Sequence, residues 1–441
     1  MPKEESIGVQ IPEVLLPAEG IDLNKWAVIA CDQFTSQPEY WEQVAQIVGD
    51  APSTYHMILP EVFLDSPEEA LHIQSAQANM YKYLAEGIFR SIKGLIYIER
   101  IVKAKTRRGL VICLDLEAYN FNKGSQTLIR ATEETIIERL PPRIRIRKDA
   151  PLELPHILVL YDDPQHTVLA PVLEKRTELE VCYDFDLMMG SGHLTGRLVN
   201  QPTTVDQVMN ALAKLADPKH FSQKYNVPPE MKPLLFAMGD GNHSLATAKA
   251  IWEEMKPHVE MDHPARYALV EIENIHDPAL EFEPIHRLVF NIPTDINKAM
   301  FDYYGERIKI QPMPTLEQLI TAVDSQTEPN HSLGMLSSEG LSLIEIAAPE
   351  SNLPVGTLQA FLDDYLKSNP STKIDYVHGS KILADLGTKP GNAGFYLPAM
   401  DKSDLCKTVI LDGALPRKTF SMGEAKEKRF YMECRRIQSA N

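Results

Sequence analysis

The sequence predicts a mixed α/β fold, of α+β character rather than strict alternation, and two patterns carry that prediction. One is a series of short runs rich in branched residues, at 26–30, 95–98, 109–114, 156–160, 234–238, 267–272 and 341–346, with the length and composition of strands. The other is a set of segments with helical spacing, at 38–48, 67–86, 205–216 and 244–255, lying between several of those strands. The two kinds do not alternate regularly enough to impose one doubly wound sheet.

With 441 residues, 44% hydrophobic and 24% charged, the chain is long enough for two or three domains and a sizeable core. A boundary is expected near residue 292, between a catalytic region with insertions (1–292) and a C-terminal α/β region (293–441) that contributes to the site. In the second region, 295–325 reads as polar helix after a strand-like Arg287–Phe290, and 356–367 as a further helix beyond a Pro/Ser-containing link. The charged stretch 421–436, with Phe430, Tyr431 and Met432, reads as a helix that either packs on its own domain or forms an interface, which would make the protein a homodimer. No internal repeat is visible.

The formal net charge of −17 argues against a protein that grips nucleic acid through a basic surface. Local basic stretches such as 139–148 read as solvated or facing a small anion. The five cysteines, Cys31, Cys113, Cys182, Cys406 and Cys434, are scattered and form no CxxC pair, which fits a reducing compartment. The N-terminal residues show no apolar leader, and no apolar run approaches the ~18 residues of a membrane helix. A cytoplasmic protein without membrane partners is expected.

The chemistry concentrates at 234–247, LLFAMGDGNHSLAT. An apolar run breaks at Gly239-Asp240-Gly241-Asn242-His243-Ser244, and Leu245, Ala248, Trp252 and Met255 then share one helical face. A strand, a glycine turn and a helix N-terminus together offer unpaired N–H groups and a positive dipole end to an anion. The glycines would permit positive φ and close approach of a ligand. No Gly-Lys-Ser/Thr closes the turn, so it is not a P-loop. It falls one residue short of a dinucleotide fingerprint, because Ser244 replaces the last glycine. Asp240 between the glycines would repel a bare pyrophosphate, and makes sense if Mg²⁺ bridges it to phosphate or if it accepts a proton. The alternative is that Asp240 or Asn242 only caps the helix.

Two further stretches compete as sites. Residues 184–196, with Ser191 and His193 among glycines, read equally as a ligand-facing loop or a hairpin connection. In 130–139, Arg130, Thr132, Glu133, Glu134, Thr135, Glu138 and Arg139 crowd acids, hydroxyls and guanidinium groups, as an anion site with a general base requires, or as an ordinary charged helix does. The histidines form no HExxH-type spacing, and no G-x-S-x-G elbow is present.

Taken together, these stretches resemble the Domain of Unknown Function 1015 family. The motifs are Asp240-Gly-Asn-His243, Glu133-x-Thr135, Pro284-Ile-His286-Arg287, Ile374-Asp375-Tyr376-Val-His378 and Leu415-Pro416-Arg-Lys418-Thr419-Phe420. The Asp-Gly-x-His turn is similar to that of the ParB/sulfiredoxin fold, whose members include kinases of free serine. That resemblance implies a ParB/sulfiredoxin-like nucleotide-binding core, a turn that binds nucleotide phosphates, and a glutamate acting on the substrate hydroxyl. The chain departs from the pattern at Ser244, where members usually carry an arginine. A guanidinium clamp on phosphate must then come from elsewhere or be absent, the candidates being Arg130, Arg139, Arg143, Arg287 and Lys418.

The expected function is a phosphotransferase that uses ATP or ADP with Mg²⁺ on a small hydroxylated metabolite, free L-serine first. Gly239, Gly241, Asn242, Ser244 and His243 would hold phosphate, and Asp240 the metal. Glu133 would act as base with Glu134 in reserve, while Arg130, Arg139, His286, Arg287, Lys418 and Thr419 would bind or neutralise the moving phosphoryl group. The rivals are a nucleotide-binding or hydrolysing regulator, a phosphohydrolase using water, and a scaffold with a vestigial site.

Overall fold

Ten strands form the larger sheet of the computed structural model, which describes residues 6–135, 140–293, 295–325 and 329–439. In chain order they are β1 (Val9–Gln10), β2 (Leu95–Val102), β3 (Lys105–Asp115), β4 (Tyr119–Asn120), β5 (Ile129–Arg130), β6 (Leu158–Tyr161), β7 (Val181–Asp186), β8 (His193–Val199), β9 (Phe236–Asp240) and β10 (Tyr267–Asn274). Across the sheet the order is β7-β8-β2-β3-β10-β6-β9-β5-β4, with β1 on β3. Most pairs are antiparallel, but β6 runs parallel to β10, and β5 runs parallel to both β9 and β4. The fold is mixed α/β.

The long central strands β2, β3 and β10 are buried over most of their length, with apolar runs at 95–98, 110–114 and 267–270 and buried charges at Glu99, Arg100, Arg107, Glu271 and Glu273. One face packs on helices α4 (Pro202–Leu215) and α5 (Asn242–Met255) through Val208, Leu212, Leu245 and Trp252. Trp26, Trp41, Val44 and Met80 belong to the core on the other face, with α1 (Pro38–Val48) and α2 (Glu69–Ala85); α3 (Leu140–Arg147) comes later in the chain. Pro at the first position of α1 and α4 starts each helix with φ already set.

Two compact units result, one of Met1–Leu280 with Gly423–Asn441, the other of Glu281–Met422. The division therefore differs from a single break near 292, because the chain returns to the first unit at its end. Residues 421–436 are not one helix: beyond a single 3-10 turn at Ala425–Glu427, Phe430–Tyr431 pairs with Val28–Ile29, and Arg435–Arg436 with Leu152–Glu153. Phe430, Tyr431, Met432 and Cys434 are buried there, so the segment is core of the first unit.

The second unit holds a seven-stranded sheet around β11 (Phe282–Phe290), flanked by Lys373–His378 and Ala393–Tyr396. The expected continuous helix over 295–325 is two helices, Ile296–Tyr304 and Leu316–Asp324, separated by the edge strand Ile308–Met313. That strand alternates too weakly, and contains Pro312, to stand out from polar surroundings. Among the described residues, no helix is long and apolar enough to cross a membrane.

Candidate functional site

One residue, Gly241, joins β9 to α5. Its φ of +81° lies in the left-handed region, and a Cβ there would come within 3.1 Å of Ile157 Cγ1. Gly239 instead lies inside β9, so the backbone demands glycine only at the second position. The helix starts with no side-chain cap, and Asp240 does not serve as one: its Oδ1 accepts the N–H of Gly241 at 2.9 Å. Asn242 Oδ1 is buried and has no hydrogen-bond partner among the described residues. Gly239 to Ser244 are all half-buried, within reach of a ligand.

The cation at this turn is Lys428, which none of the sequence expectations named. Its Nζ lies 3.1 Å from Asp240 Oδ2, the side chains being 14% and 25% exposed. Burial would raise the Asp240 carboxyl, but the Lys428 charge and hydrogen bond, with His156 and the Gly241 N–H, hold it below the usual carboxylate range.

His156 reaches the same turn because β6 runs antiparallel to β9, with Leu158 opposite Asp240. Its Nε2 is 2.9 Å from Ser244 Oγ and its Nδ1 3.0 Å from the Tyr431 hydroxyl, which also accepts the Cys31 N–H at 3.2 Å. The ring thus bridges the Tyr431 and Ser244 hydroxyls, one nitrogen to each, with donor and acceptor sides set by the tautomer. This relay ties β6 and the C-terminal segment to the start of α5.

A cavity of about 130 Å³ adjoins the relay within the first unit. His156, Ser244, Thr247 and Tyr431 form part of its wall, and Glu61 and Arg143 another part, among mostly apolar side chains. Glu61 and Arg143 are ion-paired. Burial raises the Glu61 carboxyl above its ordinary value against the pull of Arg143, with Asp32 adding to the rise.

The chain leaving β5 passes the same end of the sheet, since β5 and β9 are parallel with Ile129 opposite Phe236 and Arg130 opposite Ala237. Glu133 is half-buried there, Glu134 exposed and Thr135 buried. Arg139 and Glu138 lie outside the described residues. Arg130 points elsewhere: its Nε donates to Thr127 O at 2.8 Å and its Nη2 to Lys232 O at 2.7 Å, ahead of β9 rather than beyond it. These bonds make Arg130 a brace for the strand entry. The basic stretch likewise faces carboxylates rather than an outside anion: Arg143 pairs with Glu61, Arg145 with Glu69, Arg147 with Glu153 and Lys148 with Glu254.

The remaining expected residues belong to the second unit. Arg287 is fully buried and donates to the carbonyls of Ile285, Arg417 and Lys418, with its guanidinium 5.0 Å from the centre of the Tyr376 ring. Thr419 Oγ1 donates to Pro416 O at 2.6 Å, and Lys418 is exposed with φ of +56°. The Leu415–Phe420 motif is thus a loop held by Arg287. His286 accepts the Leu397 N–H at 3.2 Å and packs on Tyr396; burial, with His378 and Arg287 nearby, lowers it to about 4. These are contacts of a folded core. In the 184–196 stretch, His193 lies between Asp184 and Asp186 at 2.5 and 2.7 Å within the β7–β8 hairpin, so the hairpin reading describes it.

For Mg²⁺ the turn supplies one carboxylate, Asp240. Among the described residues no group of three or more His, Cys, Asp or Glu could hold a metal. One carboxylate suits an ion that keeps its waters and arrives on substrate phosphates.

A family model described as "Protein of unknown function (DUF1015)" matches residues 15–365. No curated protein matches the chain. Similar solved structures include a mutant free serine kinase in complex with AMP, at 9% identity and TM-score 0.39, covering 74% of this chain and 91% of that one. A conserved hypothetical protein from Pyrococcus furiosus has 10% identity and TM-score 0.36, covering 74% and 95%. SbnI from Staphylococcus aureus, truncated at its C-terminus, has 8% identity and TM-score 0.33, covering 74% and 87%.

Proposed function

The chain belongs to the DUF1015 family of proteins of unknown function, and from its site we propose a nucleotide-dependent phosphotransferase acting on a small hydroxylated metabolite. The observation that carries this reading is the Gly241 turn: an uncapped helix start, a left-handed glycine and the Asp240–Lys428 pair together. Phosphoryl transfer needs positioning and charge more than covalent help, and this turn offers both. Its N–H groups and Lys428 would hold the phosphates of ATP or ADP, with Lys428 filling the place of the arginine that Ser244 replaces. Asp240 would take Mg²⁺, which when bound neutralises phosphate charge.

Glu133, at the same sheet end, is the proposed base, and Glu134 is exposed beside it. The base takes the acceptor's hydroxyl proton, the oxygen bonds to the terminal phosphorus, and the bond to the nucleotide breaks. Free L-serine is the first acceptor to try. Glu133→Gln is expected to slow turnover by about 10²–10⁴-fold with nucleotide binding retained. Incubating the protein with ATP or ADP, Mg²⁺ and a pool of hydroxylated metabolites, with products followed by mass spectrometry, tests the reading. A phosphorylated metabolite supports it; nucleotide hydrolysis alone would support a phosphohydrolase, and binding alone a regulator.

A further inference from the structure

We propose that the acceptor is an alcohol carrying an apolar group about the size of a benzene ring, received by the cavity beside the turn. The inference rests on the phosphotransfer reading and sharpens its substrate. The cavity's volume of about 130 Å³ is close to the ~150 Å³ of an engineered apolar cavity that holds benzene. Its walls are dominated by apolar side chains, Met57, Leu59, Leu64, Met80, Leu152 and Leu269 among them. Free serine has no apolar body to place against such a surface.

Two ion pairs, Glu61–Arg143 and Arg147–Glu153, neutralise each other in one part of the wall. Ser244, next to His243 in the first turn of α5, is another part, as are His156 and Tyr431. The Ser244 hydroxyl, 2.9 Å from His156 Nε2, is placed to meet an acceptor oxygen while the apolar group lies against the methionines and leucines. Small-molecule sites have this composition, an apolar lining with a few convergent polar groups. In the transfer the acceptor oxygen loses its proton to the base, bonds to the terminal phosphorus of ATP, and releases ADP.

The test uses the full chain with 2-phenylethanol and L-serine as probes, followed by ligand-observed NMR with and without ATP, and by phosphorylated product. Separate titration of ATP keeps the two readings distinct. The expected result is saturable 2-phenylethanol binding, at least tenfold tighter than serine, and its ATP-dependent phosphorylation. Ala150→Leu, which adds volume at the wall, should weaken the alcohol at least tenfold and leave ATP affinity unchanged. Leu64→Trp, at a half-buried position, serves where Ala150→Leu does not fold. ATP binding without alcohol binding, or serine bound as well as the alcohol, overturns the inference while the phosphotransfer reading stands. Alcohol binding without ATP binding overturns that reading, and with it the alcohol's role as acceptor.

Discussion

Asp240 and Lys428 define the site at the scale of single residues. A carboxylate at a turn proposed to hold phosphate would work against that role unless a cation offsets it, and Lys428 lies 3.1 Å from it. Because the Asp240 carboxyl is held below its ordinary range, its contribution to stability is present above the unfolded value and is lost as pH falls through the lower, folded one. Lys428→Met removes the largest opposing charge. It should cost about 2 kcal/mol at pH 7 and move the onset of acid unfolding to higher pH, as read by urea denaturation from pH 3 to 7. An unchanged acid limb would show that the pair is not what holds the carboxyl down.

This pair also marks what a sequence can and cannot disclose about a site. Gly241 was legible because a left-handed turn between strand and helix has a local residue signature. Lys428 and His156 were not, since each reaches the turn through strand pairing with distant segments, and nothing in their own neighbourhoods announces it. Arg130 shows the converse: its surroundings are rich in acids and hydroxyls, yet its guanidinium donates to the carbonyls of Thr127 and Lys232.

At the scale of elements, the junction of β9 and α5 depends on Gly241. Gly241→Ala forces an L side chain into the left-handed region and against Ile157, which should cost about 1–2 kcal/mol. It should also weaken ATP at least tenfold by calorimetric titration; full affinity would show that phosphates bind elsewhere. In the centre of the sheet, Glu273 on β10 is fully buried beside Arg107 and Glu271, and burial pushes its carboxyl up to about 8 against the pull of Arg107. The folded protein keeps this proton where the unfolded chain releases it, so stability falls as pH rises from about 4.5 to about 8. Glu273→Gln should flatten that fall, by on the order of 1 kcal/mol per pH unit, in urea titrations between pH 5 and 8. Equal slopes in both proteins would place the pH dependence elsewhere.

Elements with strong local signals were the ones the sequence disclosed. Pro38–Val48 starts on proline and keeps one apolar face, and it is helix over that span. The segment at 421–436 carries a charge pattern compatible with a helix, but its aromatic residues are claimed by the sheet edges of the first unit, and tertiary pairing outweighs propensity there.

At the scale of the whole molecule, acid sensitivity is present in both units, Asp240 in the first and His286 in the second. His286 is neutral in the core of the second unit and lowered to about 4, so its contribution to stability is present above its ordinary value of 6.5 and is lost as pH falls toward 4. His286→Asn keeps an acceptor for the Leu397 N–H but cannot gain a proton. It should therefore reduce the loss of stability between pH 6.5 and 4 by up to about 3 kcal/mol, measured by denaturation with a probe in the second unit. An unchanged loss would assign that sensitivity to other groups.

The central claim, that the Gly241 turn with Lys428 binds nucleotide phosphates, is tested most directly by calorimetric titration of ATP and ADP in Mg²⁺ into the wild-type protein and Lys428→Ala. The predicted result is saturable binding by the wild type and at least tenfold weaker binding by the variant. No binding by the wild type, or equal affinity in both proteins, would contradict it.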